Sequence, residues 1–198
     1  MSAITTQAGR LRSLLTALLL AVLAASAAAQ APVGTELRIK AAYVLNFMRY
    51  TQWPGDDPEA RMPSAYRITV VGSQEFVTAL RSIARQAEQL GQRRVDVRHV
   101  EPGAAARVLF VADDELPHAV YIEAGSGADR YALLQRYAGQ PVLTIGDAGD
   151  FVASGGMLGL VHEGRRIVFE ANPQAIQASR LQVSAKALKL ARVMGTSP

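Results

Sequence analysis

The stretch YRITVVGSQEFVTALRSIARQAEQLG, Tyr66 to Gly91, decides the fold. It opens with β-branched Ile68, Thr69, Val70 and Val71 in one short run that stops at Gly72, the pattern of a buried strand. Ser73 stands where a helix N-cap is wanted. Phe76, Leu80, Ile83, Ala84, Ala87 and Leu90 then recur at helical spacing along one face, with Gly91 just past the end. Strand and helix together make a βα unit.

Downstream the rhythm continues. Val95, Val97 and His99 alternate with Arg94, Asp96 and Arg98, which predicts a strand with one wetter face, near a sheet edge. Val108 to Ala112 is continuously apolar and is bounded by Asp113 and Asp114, which suits a strand in the middle of the sheet. A helix from Ala128 to Ala138, stopped at Gly139, leads into a strand from Val142 to Ile145, so the βαβ pattern occurs twice. Gly155-Gly156 precedes Met157 to Val161, and Glu163-Gly164 turns the chain into Ile167 to Glu170, a hairpin. Pro173 opens a short helix, and Ser184 caps a last one bearing Ala187, Leu188, Ala191 and Met194. The expected fold is α/β: a single-domain sheet of about five or six strands flanked by helices, with a C-terminal β-hairpin and terminal helices.

Upstream, Glu36 to Tyr50 carries two apolar stripes, Leu37, Ala41, Val44 and Met48 on one side and Tyr43, Phe47 and Tyr50 on the other. A helix with two such stripes is covered on two sides, the second by the rest of the domain or by another protomer. Trp53-Pro54-Gly55 then ends regular structure. Residues 1–29 read as a cleaved signal peptide: Arg10 and Arg12 precede an apolar run from Leu14 to Ala25, and Ala27-Ala28-Ala29 supplies small residues for cleavage. The run is shorter than the roughly 20 residues of a membrane-spanning helix. The folded domain is then residues 30–198.

Composition narrows the function. The chain has no Cys, which excludes disulfides, thiolate metal sites and lipid attachment at an N-terminal cysteine, so an exported domain must rely on its core. The formal net charge is +4, and the two arginines of the leader account for part of it. The remaining Lys and Arg are scattered along the chain, not gathered with aromatics as nucleic-acid binding requires.

Catalysis needs an attacking or proton-passing group beside one that activates it. The best candidate is the crowd of Asp113, Asp114, Glu115 and His118 after a central strand, where open α/β sheets place their sites; a solvated acidic turn is the plainer reading. His99 and His162 have no regularly spaced partner. Gly125-Ser126-Gly127 before a helix is a weak phosphate cradle, because Arg130 stands where a dinucleotide fingerprint has its third glycine. No serine lies in a G-x-S-x-G elbow. Gly155-Gly156 marks positive φ or a close backbone approach. Arg165 and Arg166, beside Glu163 and near Glu170, could make a cationic patch able to hold a carboxylate or phosphate; a solvated hairpin is the plainer reading. Trp53 reads equally as a core anchor and as an interface residue. Asn46, the polar member of a nearly all-apolar helix, would need a hydrogen-bond partner if buried.

The stretch KAAYVLNFMRYTQWP, Lys40 to Pro54, resembles the opening motif of the YfiR family of periplasmic proteins, in which a helix with a central aromatic leads into a Trp-Pro pair. Further matches follow in order: Val71-Gly72, Val108 to Val111, Pro141-Val142-Leu143-Thr144, Gly155-Gly156-Met157, Phe169-Glu170-Ala171-Asn172 and Leu181-Gln182-Val183-Ser184. The resemblance covers about Ile39 to Val193. It implies a periplasmic negative regulator and not an enzyme. Such a protein binds the sensor region of an inner-membrane diguanylate cyclase, lowers cyclic di-GMP, and through it acts on biofilm formation. The resemblance also implies a homodimer and an OmpA-like outer-membrane lipoprotein as a second partner. Some members carry disulfides, whereas this chain has no cysteine for redox control of that kind.

On this reading Tyr43, Asn46, Phe47, Arg49 and Trp53 form the partner or dimer interface. Arg166, Glu170 and Asn172 form a ligand or partner pocket, and no catalytic residue, metal or cofactor is expected. The alternative is a periplasmic small-molecule receptor that signals to another membrane sensor or transport protein.

Overall fold

The computed structural model describes residues 33–54, 65–104, 116–189 and 192–193. The leader, the run Val108 to Ala112, and Asp113, Asp114 and Glu115 lie outside them. The chain divides into Met1–Glu36 and Leu37–Pro198. Of the first unit only the opening turn of a helix is described; the second carries the sheet.

In chain order the elements are α1 (Val33–Arg49), β1 (Thr51–Gln52), β2 (Ala65–Val71), α2 (Gln74–Gln89), β3 (Arg94–Val100), β4 (Ala119–Ile122), α3 (Gly127–Tyr137), β5 (Leu143–Gly146), β6 (Leu158–Glu163), β7 (Arg166–Ala171), α4 (Pro173–Ala178), β8 (Gln182–Val183), α5 (Ala185–Leu188) and β9 (Arg192–Val193). The main sheet runs β3-β2-β4-β5-β6-β7-β9. Strands β3 through β6 are parallel, the β6–β7 hairpin is antiparallel, and the two-residue β9 lies parallel to β7. A separate antiparallel pair joins Thr51 to Val183 and Gln52 to Gln182.

The βα unit at residues 66–91 forms as its pattern predicts. Ser73 caps α2 by accepting a hydrogen bond from the Phe76 N–H at 3.3 Å, and Gly91 leaves the helix at φ +78°. Strand β3 takes the edge, as its alternation indicated. Central strands β4 and β5 are buried at every residue, which parallel strands covered on both faces require. Alternate residues feed two cores. One face packs Ile68, Val70, Tyr121 and Ile145 under α1 and α2, with the Phe76 ring stacked on Tyr121 at 4.0 Å. The other packs Val71, Val120 and Ile122 against Leu133, Tyr137 and Phe151.

Four expectations need correction. Strand β4 was not anticipated, because a four-residue apolar run after Leu116-Pro117 is a weaker signal than Val108 to Ala112. The last helix stops at Leu188 instead of continuing through Met194, since Arg192–Val193 pair with the outer edge of β7. Leu90, placed on the buried face of α2, is 81% exposed beyond the last helical turn. Tyr50, assigned to the second stripe of α1, is 44% exposed, because the helix ends at Arg49 and the chain turns into β1.

Phe151 is fully buried between two glycines: a Cβ on Gly146 or on Gly156 would overlap its ring. Gly155 supplies the positive φ of the same turn, at +100°. Gly156→Ala should therefore destabilise the protein by about 1–3 kcal/mol through overpacking. Gly149→Ala, with nothing within 4 Å of its Cβ, should stay within about 0.5 kcal/mol. Urea unfolding of the two variants makes the comparison.

Candidate partner-binding surface

Helix α1 is held on both of its apolar stripes by its own domain. Ala41, Val44 and Met48 are fully buried in the core. On the second stripe the Phe47 ring meets Phe169 of β7 edge-on at 4.9 Å, Tyr43 lies 6.0 Å from Phe169, and the Tyr43 hydroxyl donates to the Ile167 carbonyl at 3.2 Å. The hairpin is thus the second cover. After the helix the Thr51 hydroxyl donates back to the Phe47 carbonyl at 2.7 Å, and the Tyr50 carbonyl accepts from the Ser184 N–H at 2.8 Å.

Trp53 is a core anchor, 8% exposed. Its indole N–H donates to the His118 carbonyl at 3.0 Å, and its ring lies 5.4 Å from Tyr66 and 5.3 Å from the His118 imidazole. His118 meets Tyr66 at 5.5 Å and accepts from the Arg67 N–H through Nδ1 at 3.1 Å. Burial of these rings removes large apolar areas from water, and a tryptophan fixed this way can also satisfy its single donor.

Of the five residues expected at the interface, Asn46 and Arg49 are exposed, Tyr43 is half-buried, and Phe47 and Trp53 lie inside the protein. Asn46 is therefore solvated and needs no internal partner. Sequence reasoning missed Tyr50 and Gln52, which join Arg49 along a groove of about 450 Å³ whose other wall is Gln182 to Ala185. The odd signal was available in the sequence: a tyrosine between an arginine and a threonine, just past the last helical turn.

Arg166, Glu170 and Asn172 do not converge. Ile167 and Phe169 face α1, so alternation sends Arg166 and Glu170 to the opposite face of β7. They stand four positions apart along the strand, ~13 Å. Asn172 caps α4, its side-chain carbonyl accepting from the Ala175 N–H at 3.0 Å.

The carboxyl ends of the parallel strands are occupied by internal contacts. In sheet order the parallel strands read second, first, third, fourth, fifth, and ligands of such sheets bind at the crevice between the first and third. There the Glu123 carboxylate accepts from the Ser73 N–H and, at 3.0 Å, from the Ser73 hydroxyl, so the chain's own anion sits on the N-terminus of α2. The Lys40 ammonium meets Asp147 at 2.8 Å with both side chains nearly buried, and the second Asp147 oxygen accepts from the Ala124 N–H at 2.7 Å. Asp129 accepts from the Gly103 N–H. The Ser126 hydroxyl of the glycine-flanked turn donates to the Val71 carbonyl, which ties that turn to the sheet.

Arg130 holds Asp150 through two hydrogen bonds at 2.8 and 3.0 Å. Desolvation pushes the Asp150 carboxyl up, but those bonds and its own backbone bond outweigh it and hold it below the usual carboxylate range. The pair's contribution is accordingly present above that range and is lost as the pH falls through the lowered value. Among the described residues no group of three or more His, Cys, Asp or Glu could hold a metal ion. Among them, too, no helix is long and apolar enough to cross a membrane. What the arrangement offers is a rigid helix end with exposed polar and aromatic groups.

The sequence profile of the YfiR/HmsC-like family matches residues 37–192. Among solved structures, a conserved domain protein from Vibrio cholerae O1 biovar El Tor is similar at 7% identity and a TM-score of 0.49. The match covers 79% of this chain and 59% of that one.

Breaking a buried ion pair leaves its partner charge uncompensated. Lys40→Ala should therefore cost about 3–5 kcal/mol, seen as a lower denaturant midpoint. A Lys40→Ala protein as stable as the parent would show that the pair is solvated in solution.

Proposed function

The chain belongs to the YfiR/HmsC-like family, and on that premise we propose that it is a periplasmic regulator that represses an inner-membrane diguanylate cyclase by contact with the cyclase's sensor region. Repression lowers cyclic di-GMP. The protein performs no chemistry of its own. A cleaved leader at residues 1–29 delivers the domain of residues 30–198 to the periplasm, where it works as a homodimer. An OmpA-like lipoprotein of the outer membrane competes for it.

The observation that carries this reading is the far end of α1. A helix packed on both apolar stripes keeps its backbone fixed, and it still presents Asn46 and Arg49 to solvent, with Tyr50 and Gln52 exposed just past its end. Tyr and Arg are the residue types enriched where proteins meet. A preorganised surface loses little entropy on binding. Tyr43, Phe47 and Trp53 support it from inside. Contact repression needs this surface and no acid/base pair.

The test is cellular cyclic di-GMP in a strain lacking the protein, complemented by the parent chain, Arg49→Glu or Tyr50→Ala. Deletion should raise the level, and the parent chain should restore it. Arg49→Glu should fail to do so by at least half while melting at the parent temperature. Trp53→Ala should fail for another reason, losing about 3–5 kcal/mol of stability as a buried aromatic does. Full complementation by both surface variants would move the contact away from α1. An unchanged level on deletion would sink the cyclase role.

A further inference from the structure

Besides its two packed stripes, α1 keeps a third face open. Ile39 is 44% exposed, Ala42 is half-buried, and Asn46 and Tyr50 are exposed. These positions recur at intervals of three and four residues, so they form one stripe about three turns long. Tyr50 belongs to it although it follows the last helical residue, because its N–H still donates to the Asn46 carbonyl at 3.0 Å. Arg38 and Arg49 border one edge of this stripe, both exposed and about three turns apart, or ~16 Å along the axis. Among the described residues no carboxylate pairs with either of them.

We propose that this face docks an acidic amphipathic helix of a partner protein, lying along α1. The charge complementarity decides the sign: two cations without acids on one edge favour a surface whose carboxylates stand opposite them. Their spacing decides the direction, since only an element that runs along α1 reaches both. The backbone decides the kind of element. A helix satisfies its own N–H and C=O groups, so α1 offers an extended segment no ladder to join, whereas a second helix arrives with its backbone already paired. Small Ala42, between Ile39 and Tyr50, lets the two axes approach, and helices aligned at ~20° pack their side chains into each other's grooves. The occupant thus carries a short apolar stripe flanked by carboxylates about three turns apart.

A second copy of this chain fits the face badly. In an antiparallel two-fold pair like edges meet, so the arginine edge of one α1 would face the arginine edge of the other, and like charges so placed repel. The contact extends the surface at the end of α1 back to Arg38. That the helix comes from a cyclase's sensor region rests on the proposed function; the chemistry of docking does not.

The experiment uses the full chain in a strain lacking the native copy, with the photoreactive residue p-benzoylphenylalanine in place of Ile39, of Asn46 or of Tyr131, which is exposed on α3. Mass spectrometry locates each cross-link. Those from positions 39 and 46 should fall on one segment of one membrane protein, about seven residues apart, as two sites ~10 Å apart along a helix require. An extended segment would place them about three residues apart. Position 131 should not label that segment. In the same strain Arg38→Glu and Ile39→Ser should each restore less than half of the fall in cyclic di-GMP that the parent chain produces, and Arg38→Lys most of it. Melting at the parent temperature shows that these surface variants are folded. Cross-links to a second copy, a spacing of about three residues, a labelled segment without Asp or Glu, no cross-link from either position, or full repression by both Arg38→Glu and Ile39→Ser would each overturn the assignment. Unchanged cyclic di-GMP on deletion would sink the cyclase role alone, because the cross-link map still decides the docking.

Discussion

The hydrogen bond from the Trp53 indole to the His118 carbonyl, with Tyr66 packed against both rings, is the contact on which the arrangement of the chain depends. Trp53 closes the segment that follows α1, Tyr66 lies at the start of β2, and His118 immediately precedes β4. Three elements far apart in sequence meet there at the amino ends of two neighbouring parallel strands. Midway along α1, Lys40 reaches Asp147 just beyond the carboxyl end of β5. The segment from Lys40 to Trp53 is therefore pinned at both ends of the sheet and runs across its face against the strand direction. Buried polar contacts of this kind stabilise mainly by being satisfied, and losing one partner costs more than the contact contributes.

How much of this was legible follows from the range of the forces involved. Local signals were read correctly where they concern neighbours: the cap at Ser73, the stop at Gly91, the edge alternation of β3, and the hairpin around Gly164, whose φ is +60°. Long-range pairings were not legible. Lys40 and Asp147 are 107 residues apart, and nothing in either neighbourhood distinguishes that lysine from a solvated one. The two readings of Trp53 were separable only by the burial that His118 and Tyr66 provide. Strand β4 was hidden for a related reason: four apolar residues become a central strand only because β2 and β5 flank them.

The same distinction explains the candidate surface. Sequence pattern marked α1 as having more apolar area than one face can bury, and it assigned the excess to a partner or to the domain. The hairpin takes that excess through Phe169 and Ile167. A partner would then meet the polar remainder, Asn46 and Arg49, with Tyr50 and Gln52 just past the helix end. Meanwhile, at the crevice where sheets of this strand order hold ligands, the Glu123 carboxylate sits on Ser73 at the N-terminus of α2.

The most direct measurement is the rate of cyclic di-GMP synthesis in membrane fragments open to both faces, prepared from a strain lacking this protein and titrated with the purified chain. Repression by contact predicts a saturable fall in rate to a plateau as the protein is added, with no other component needed. A rate unchanged by a large excess of folded protein, in membranes whose cyclase is active, would contradict it.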